Sequence, residues 1–157
     1  MIKQNDSGLY LDIQAVGCFF MAAIDLAMME AKKRNLSKWQ LSIRDINSLW
    51  EKAKAFRYID EKNNMLNSAK VANLACEALG LPCRIVEVAT DTGHTQWYSG
   101  IGEHRVDYRI EKILQSGKSK THFRIVDSLG GVIEDPHNPP IKKLASYYKI
   151  YYRVDEV

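Results

Sequence analysis

A thiol is a useful nucleophile only as thiolate, and two surroundings favour that form: a helix N-terminus and a neighbouring imidazolium. Cys18 has the first by its place in the chain. It opens a long apolar run of helix formers, directly after Gly17 and four residues after Gln14. Gly17 allows an unusual backbone turn and close approach of a substrate. The unpaired N–H groups of a first helical turn face any oxyanion formed at the sulfur, and the Gln14 side chain is a further donor to it. The second surrounding needs a histidine from elsewhere, and there are four: His94, His104, His122 and His137. His122 starts the run His122-Phe123-Arg124-Ile125-Val126, which reads as a strand that holds its first residue beside the core. Asp135-Pro136 follows, with Asp135 13 residues after His122. That spacing suits a strand, a turn at Gly130-Gly131 and a return strand. The hairpin brings the Asp135 carboxylate to the imidazole, where it fixes tautomer and orientation.

Other candidates read more simply as structure. Cys76 lies in an apolar helix and Cys83 at a strand entrance; both are expected in the core, and their spacing fits no metal site. Asp91-Thr92-Gly93 resembles the active-site triplet of retroviral-type aspartic proteases, but those are all-β and the long helices here favour a turn. His94 and His104 have no clear third ligand, so no metal is expected. His137 is expected on an exposed loop. Gln96-Trp97 suits either a cleft wall or a packed tryptophan. Tyr147, Tyr148, Tyr151 and Tyr152 have no basic groove beside them, so a two-sided core strand accounts for them better than base stacking. No phosphate-binding Gly-rich motif and no cofactor fingerprint is present, and none of the site residues needs a cofactor.

The elements that must carry these side chains follow from periodicity. Cys18 to Arg34 reads as a helix apolar almost all round, which belongs in the middle of a domain, with Asn35 as its stop. A second helix starts at Ser42, capped by its hydroxyl with Asp45 three residues on, and Ile43, Ile46, Leu49, Trp50 and Ala53 then recur at helical spacing. A third covers Ser68 to Leu79 and ends at Gly80 and Pro82. Beyond it the period moves towards two. Arg84–Val88 is a strand, Thr92–Gly102 a strand pair with loops, and Val106–Leu114 ambiguous between helix and strand. His122–Val126, Val132-Ile133 and Tyr147–Val154 complete the set. Helices gathered in residues 1–80 and strands in 81–157 give an α+β fold in a single domain over 1–157. The buried N-terminal helix and a helical insert pack on a C-terminal antiparallel sheet.

Composition narrows the classes. With 157 residues, 46% apolar and 26% charged, the chain has the make-up of one globular domain. A net charge of +3, with scattered cations, lacks the clustered basic surface of nucleic-acid binding. The tightest cluster, Lys32-Lys33-Arg34, falls where a helix ends and complements its dipole. No export signal follows Met1-Ile2-Lys3, and Cys18–Met29 is too short to cross a bilayer. Three cysteines do not make a disulfide scaffold. The expectation is a reduced, cytoplasmic protein with no membrane or nucleic-acid partner; oligomeric state is not legible.

Gln-x-x-x-Cys at a helix start, then His-Phe-x-x-Val-Asp and Asp-Pro, resembles the papain-like cysteine peptidases. It is most similar to the branch of the double-glycine, bacteriocin-processing peptidases and their relatives. The resemblance implies a papain-like fold with Cys18 as nucleophile, His122 as general acid/base, Asp135 as orienting carboxylate and Gln14 as oxyanion donor. It also implies a thiol hydrolase, a bacterial or phage peptidase or amidase acting on a peptide or isopeptide bond. Two departures stand out: Gln14 is closer to Cys18 than in that family, and bulky Phe19-Phe20 replace small residues. They motivate a second reading, a papain-like binding module for a peptide or protein partner, without turnover. A cell-wall amidase is a third, although no wall-binding segment is visible.

Overall fold

The computed structural model describes residues 1–91, 105–117 and 120–157. His94, Gln96, Trp97 and His104, Thr92-Gly93, and the strand pair expected over Thr92–Gly102 lie outside the described residues. Four helices come first among the described residues: α1 Leu11–Val16, α2 Cys18–Lys33, α3 Ile43–Ala55 and α4 Ser68–Leu79. Five strands follow: β1 Cys83–Asp91, β2 Tyr108–Gln115, β3 Thr121–Val126, β4 Val132–Glu134 and β5 Lys143–Glu156. They form one antiparallel sheet in the order β1-β5-β2-β3-β4. The molecule is therefore α+β, with helices in the first half and sheet in the second, as the change of period predicts.

α2 fills the middle because its sequence leaves it no solvated stripe. Phe20 through Met28 are all buried, as are Glu30 and Ala31. It contacts α1, α4, β2 and β3. Each large apolar side chain fully buried there contributes about 1.5–3 kcal/mol relative to exposure. Asn35, at φ 57°, ends it in the left-handed region, which Asn tolerates. α3 is amphipathic and carries the expected capping box: the Asp45 amide donates to Ser42 Oγ at 3.1 Å and the Ser42 amide to Asp45 Oδ2 at 3.3 Å. α4 stops at Gly80, whose φ of 69° needs no Cβ, and Leu81 then donates back to the Cys76 carbonyl at 2.9 Å.

Buried apolar side chains from Leu9 to Val154 join in a single core cluster. Cys76 and Cys83 belong to it as free thiols; burial pushes the Cys76 pKa up to about 12. The ambiguous stretch before Leu114 is strand β2, paired with β3 on one side and β5 on the other. The tyrosine strand is two-sided only in its second half. Tyr152 is buried and shares a hydrogen bond with Ser68 at 2.6 Å, and Tyr151 donates to Asp91 at 3.3 Å, whereas Tyr147 is exposed. No helix among the described residues is long and apolar enough to cross a membrane.

Candidate active site

Cys18 is the first residue of α2, and α1 runs into it with only Gly17 between. Gly17 serves both helices: its amide donates to the Ile13 carbonyl at 2.8 Å, and its carbonyl accepts from Met21 at 2.8 Å. The expectation of an unusual backbone turn at Gly17 is corrected, because its φ of −85° and ψ of 15° are open to any residue. Glycine is required there for space. A Cβ would lie 2.6 Å from the Ile13 carbonyl oxygen and 2.8 Å from the Ile13 Cα, both backbone atoms that cannot swing aside. The tight joint aims the start of α2 at strand β3.

At β3 the sulfur meets main-chain dipoles. The amides of Phe123, Phe19 and Cys18 itself all favour its thiolate. Burial works against them and is the larger effect, with a smaller contribution from the Asp135 charge, so the Cys18 pKa is raised, not lowered. The start of α2 supplies only the Phe19 and Cys18 amides, and the amide with the largest effect comes from Phe123 on β3. Desolvation of the half-buried Cys18 outweighs all three, so the lowered pKa expected from a helix start is corrected. The next residue, Phe19, stacks on Phe123 with centroids 4.0 Å apart and planes 17° from parallel. The bulk of Phe19 is thus committed to joining α2 and β3 beside the sulfur.

His122 and Asp135 meet as the hairpin predicts. β3 and β4 pair through Ile125–Glu134 and Val126–Val132. The turn between them is closed by the Asp127 amide to the Gly131 carbonyl at 2.8 Å and by Gly130 at φ 84°. The Asp127 carboxylate accepts from the Leu129 and Gly131 amides, each at 2.9 Å. Just past β4, Asp135 Oδ1 lies 2.6 Å from His122 Nε2. Both side chains are sealed from solvent, His122 at 2% and Asp135 at 4% exposure. With Nε2 bonded to the carboxylate, Nδ1 is the ring nitrogen left for proton transfer. Asp135 also accepts from the His137 amide at 2.9 Å and the Ile141 amide at 3.0 Å. Burial raises its pKa, but these three bonds and the imidazole charge outweigh it and hold the carboxyl below its ordinary value.

Three sites differ from expectation or escaped it. Gln14 lies on α1, and its carboxamide nitrogen donates to the Leu9 carbonyl at 2.7 Å, a bond that staples the start of α1 instead of reaching the sulfur. His137 was expected on an exposed loop, yet it is half-buried and sits edge-on to His122, with ring centroids 6.3 Å apart. Residues 3–5 lie along the segment that carries Asp135, which no local sequence pattern announces. Gln4 donates through its amide to the Pro136 carbonyl at 2.6 Å, and Asn5 exchanges hydrogen bonds with the main chain of Asn138 at 2.6 and 3.1 Å.

Among the described residues no group of three His, Cys, Asp or Glu side chains could hold a metal ion. The arrangement offers a thiol facing backbone N–H groups and an imidazole fixed by a buried carboxylate whose charge disfavours the thiolate; among the described residues no hydrogen bond joins the Cys18 sulfur to a His122 ring nitrogen. No family model, curated protein or solved structure matches the chain.

Proposed function

We propose that the protein is a thiol hydrolase of papain-like architecture, a cysteine peptidase or amidase that cleaves a peptide or isopeptide bond. The observation that carries this reading is the buried His122–Asp135 pair on the β3–β4 hairpin, one residue from the Phe123 amide that favours the Cys18 thiolate. His122 Nδ1 takes the Cys18 proton, and the thiolate attacks the carbonyl carbon of the scissile bond. The oxyanion rests against first-turn amides of α2, with Gln14 as a further donor if its side chain leaves Leu9. His122 returns the proton to the leaving amine, and water attacks the acyl-enzyme to free the acid and the thiol. Asp135 keeps the ring in the required tautomer and stabilises the imidazolium.

Burial of the sulfur makes the His122 partnership essential, because the thiol alone is a weaker acid than an exposed cysteine. Site-resolved alkylation by iodoacetamide, read by mass spectrometry of the Cys18 peptide, tests the reading. Cys18 is expected to react at least about tenfold faster than glutathione at pH 7 if His122 takes its proton, as thiols paired with an imidazole do, and His122→Ala to abolish the excess. Hydrolysis of a verified substrate is expected to vanish in Cys18→Ala; full activity in that variant sinks the mechanism.

The raised thiol pKa and the Phe19–Phe123 stack at the sulfur favour a second reading, a peptide-binding module without turnover. That reading requires Cys18 to react no faster than glutathione.

A further inference from the structure

Asp135 can orient His122 only if its own backbone is held, and it lies just outside β4, a strand of three residues at the edge of the sheet. The main chain from 134 to 138 is instead secured by the opposite end of the polypeptide. Lys3 Nζ bonds the Glu134 carboxylate and also donates to the Asp135 carbonyl oxygen at 2.8 Å. The Gln4 amide takes the Pro136 carbonyl and Asn5 the main chain of Asn138, so three consecutive residues grip four of the five from 134 to 138. Lys3 is the member of this strap that touches Asp135 itself. Its charge also acts on Asp25 on α2, whose two carboxylate oxygens have no hydrogen-bond partner among the described residues.

Resting on the triad reading above, we propose that Lys3 is a positioning residue: by tying the Glu134 carboxylate to the Asp135 carbonyl, it holds the Asp135 side chain on His122. Groups that fix a reacting constellation from behind have large effects, because a misplacement of about 1 Å can cost about a hundredfold in rate. Lys3 is one-third exposed, so its replacement does not open the core. Lys3→Met keeps the aliphatic stem and removes the donors and the charge. Lys3→Arg restores both.

Two readouts test this. The first is the pH profile of Cys18 alkylation, in which the titratable neighbours are Asp135, whose charge reaches the sulfur, His122 and His137 beside that carboxylate, and Glu134 and Asp25 around Lys3. Lys3→Met is expected to move the thiolate limb to higher pH and to slow reaction at pH 7 by about tenfold, with Lys3→Arg within about twofold of wild type. The second is the proton resonance of His122 Nε2–H, protected from exchange in wild type by its bond to Asp135 and expected to exchange faster in Lys3→Met. Glu134→Gln, which leaves the Lys3–Asp135 bond in place, is expected to change both readouts in the same direction but less. If wild-type Cys18 reacts no faster than glutathione, the hydrolase reading fails while the resonance still reports on the strap. A folded Lys3→Met with both readouts unchanged, or Lys3→Arg as impaired as Lys3→Met, overturns the role of Lys3.

Discussion

Asp135 carries more of the site than its role beside His122 requires. Its two oxygens accept from His122, the His137 amide and the Ile141 amide. Asn has one acceptor oxygen, so Asp135→Asn keeps the shape but turns an NH2 group towards an N–H donor. The mismatch is expected to cost about 1–3 kcal/mol in stability, and loss of the charge to slow Cys18 alkylation by about a hundredfold or more at pH 7. The acid limb supplies a separate check. The folded pKa of Asp135 lies below its unfolded value, so its contribution is present above that unfolded value and disappears as pH falls through the folded one. Urea unfolding of Asp135→Asn is therefore expected to show a smaller loss of stability on acidification below pH 4 than wild type. Parallel acid limbs for the two proteins contradict the assignment. The His122–Asp135 pairing and the place of Cys18 at the start of α2 were legible because each has a local mark: the start of a strand, an Asp-Pro after a turn, and the start of an apolar run. Lys3 and Asn5 had none, since their partners lie more than 130 residues away and polar contacts at that range leave no periodic trace.

At the scale of elements, the α1–α2 joint decides where the sulfur points. α1 escaped the sequence reading because it has six residues, of which only Ile13 is buried, too few to show a helical period. β2 was ambiguous for a different reason. Its apolar alternation is broken by Glu111, which is buried yet satisfied by Arg124 Nε at 3.1 Å, Arg124 Nη2 at 3.0 Å and Ser146 Oγ at 2.8 Å. A buried ion pair across two strands reads as polar positions in a one-dimensional pattern. The long helices and the β3–β4 hairpin announced themselves because apolar period, caps and turn residues agreed. Gly17→Ala tests the joint directly. Its methyl would press on the Ile13 backbone, so the variant is expected to lose about 1–3 kcal/mol by urea unfolding. The start of α2 is also expected to swing away from β3, so that Cys18 alkylation shifts with it. An Ala variant equal to wild type in both measurements would mean that the two helices separate without effect on the site.

Across the whole molecule, the buried acid of α2 sets how stability answers pH. Asp25 lies seven residues beyond Cys18, at 1% exposure, with neither oxygen hydrogen-bonded among the described residues. Burial pushes its pKa well above the ordinary carboxylate value, with Glu134 adding to the shift and Lys3 opposing it. A neutral carboxyl is far cheaper to enclose than a carboxylate. The sign follows from linkage: between its unfolded value of 3.8 and its higher folded value, the native state binds the proton and the unfolded state does not. The favourable contribution is complete below pH 3.8 and is lost as pH rises through the folded pKa, a direction opposite to that of Asp135. Asp25→Asn removes the titration and keeps the volume. The difference in melting temperature, variant minus wild type, is therefore expected to grow in favour of the variant from pH 4 to pH 8, by roughly 2–4 °C for each kcal/mol in a chain of this size. Below pH 4 the two curves should run parallel, because that limb belongs to Asp135 and the exposed acids. A difference that is flat from pH 4 to pH 8 would mean that Asp25 titrates as an ordinary carboxyl, and hence that water or a cation reaches the middle of α2.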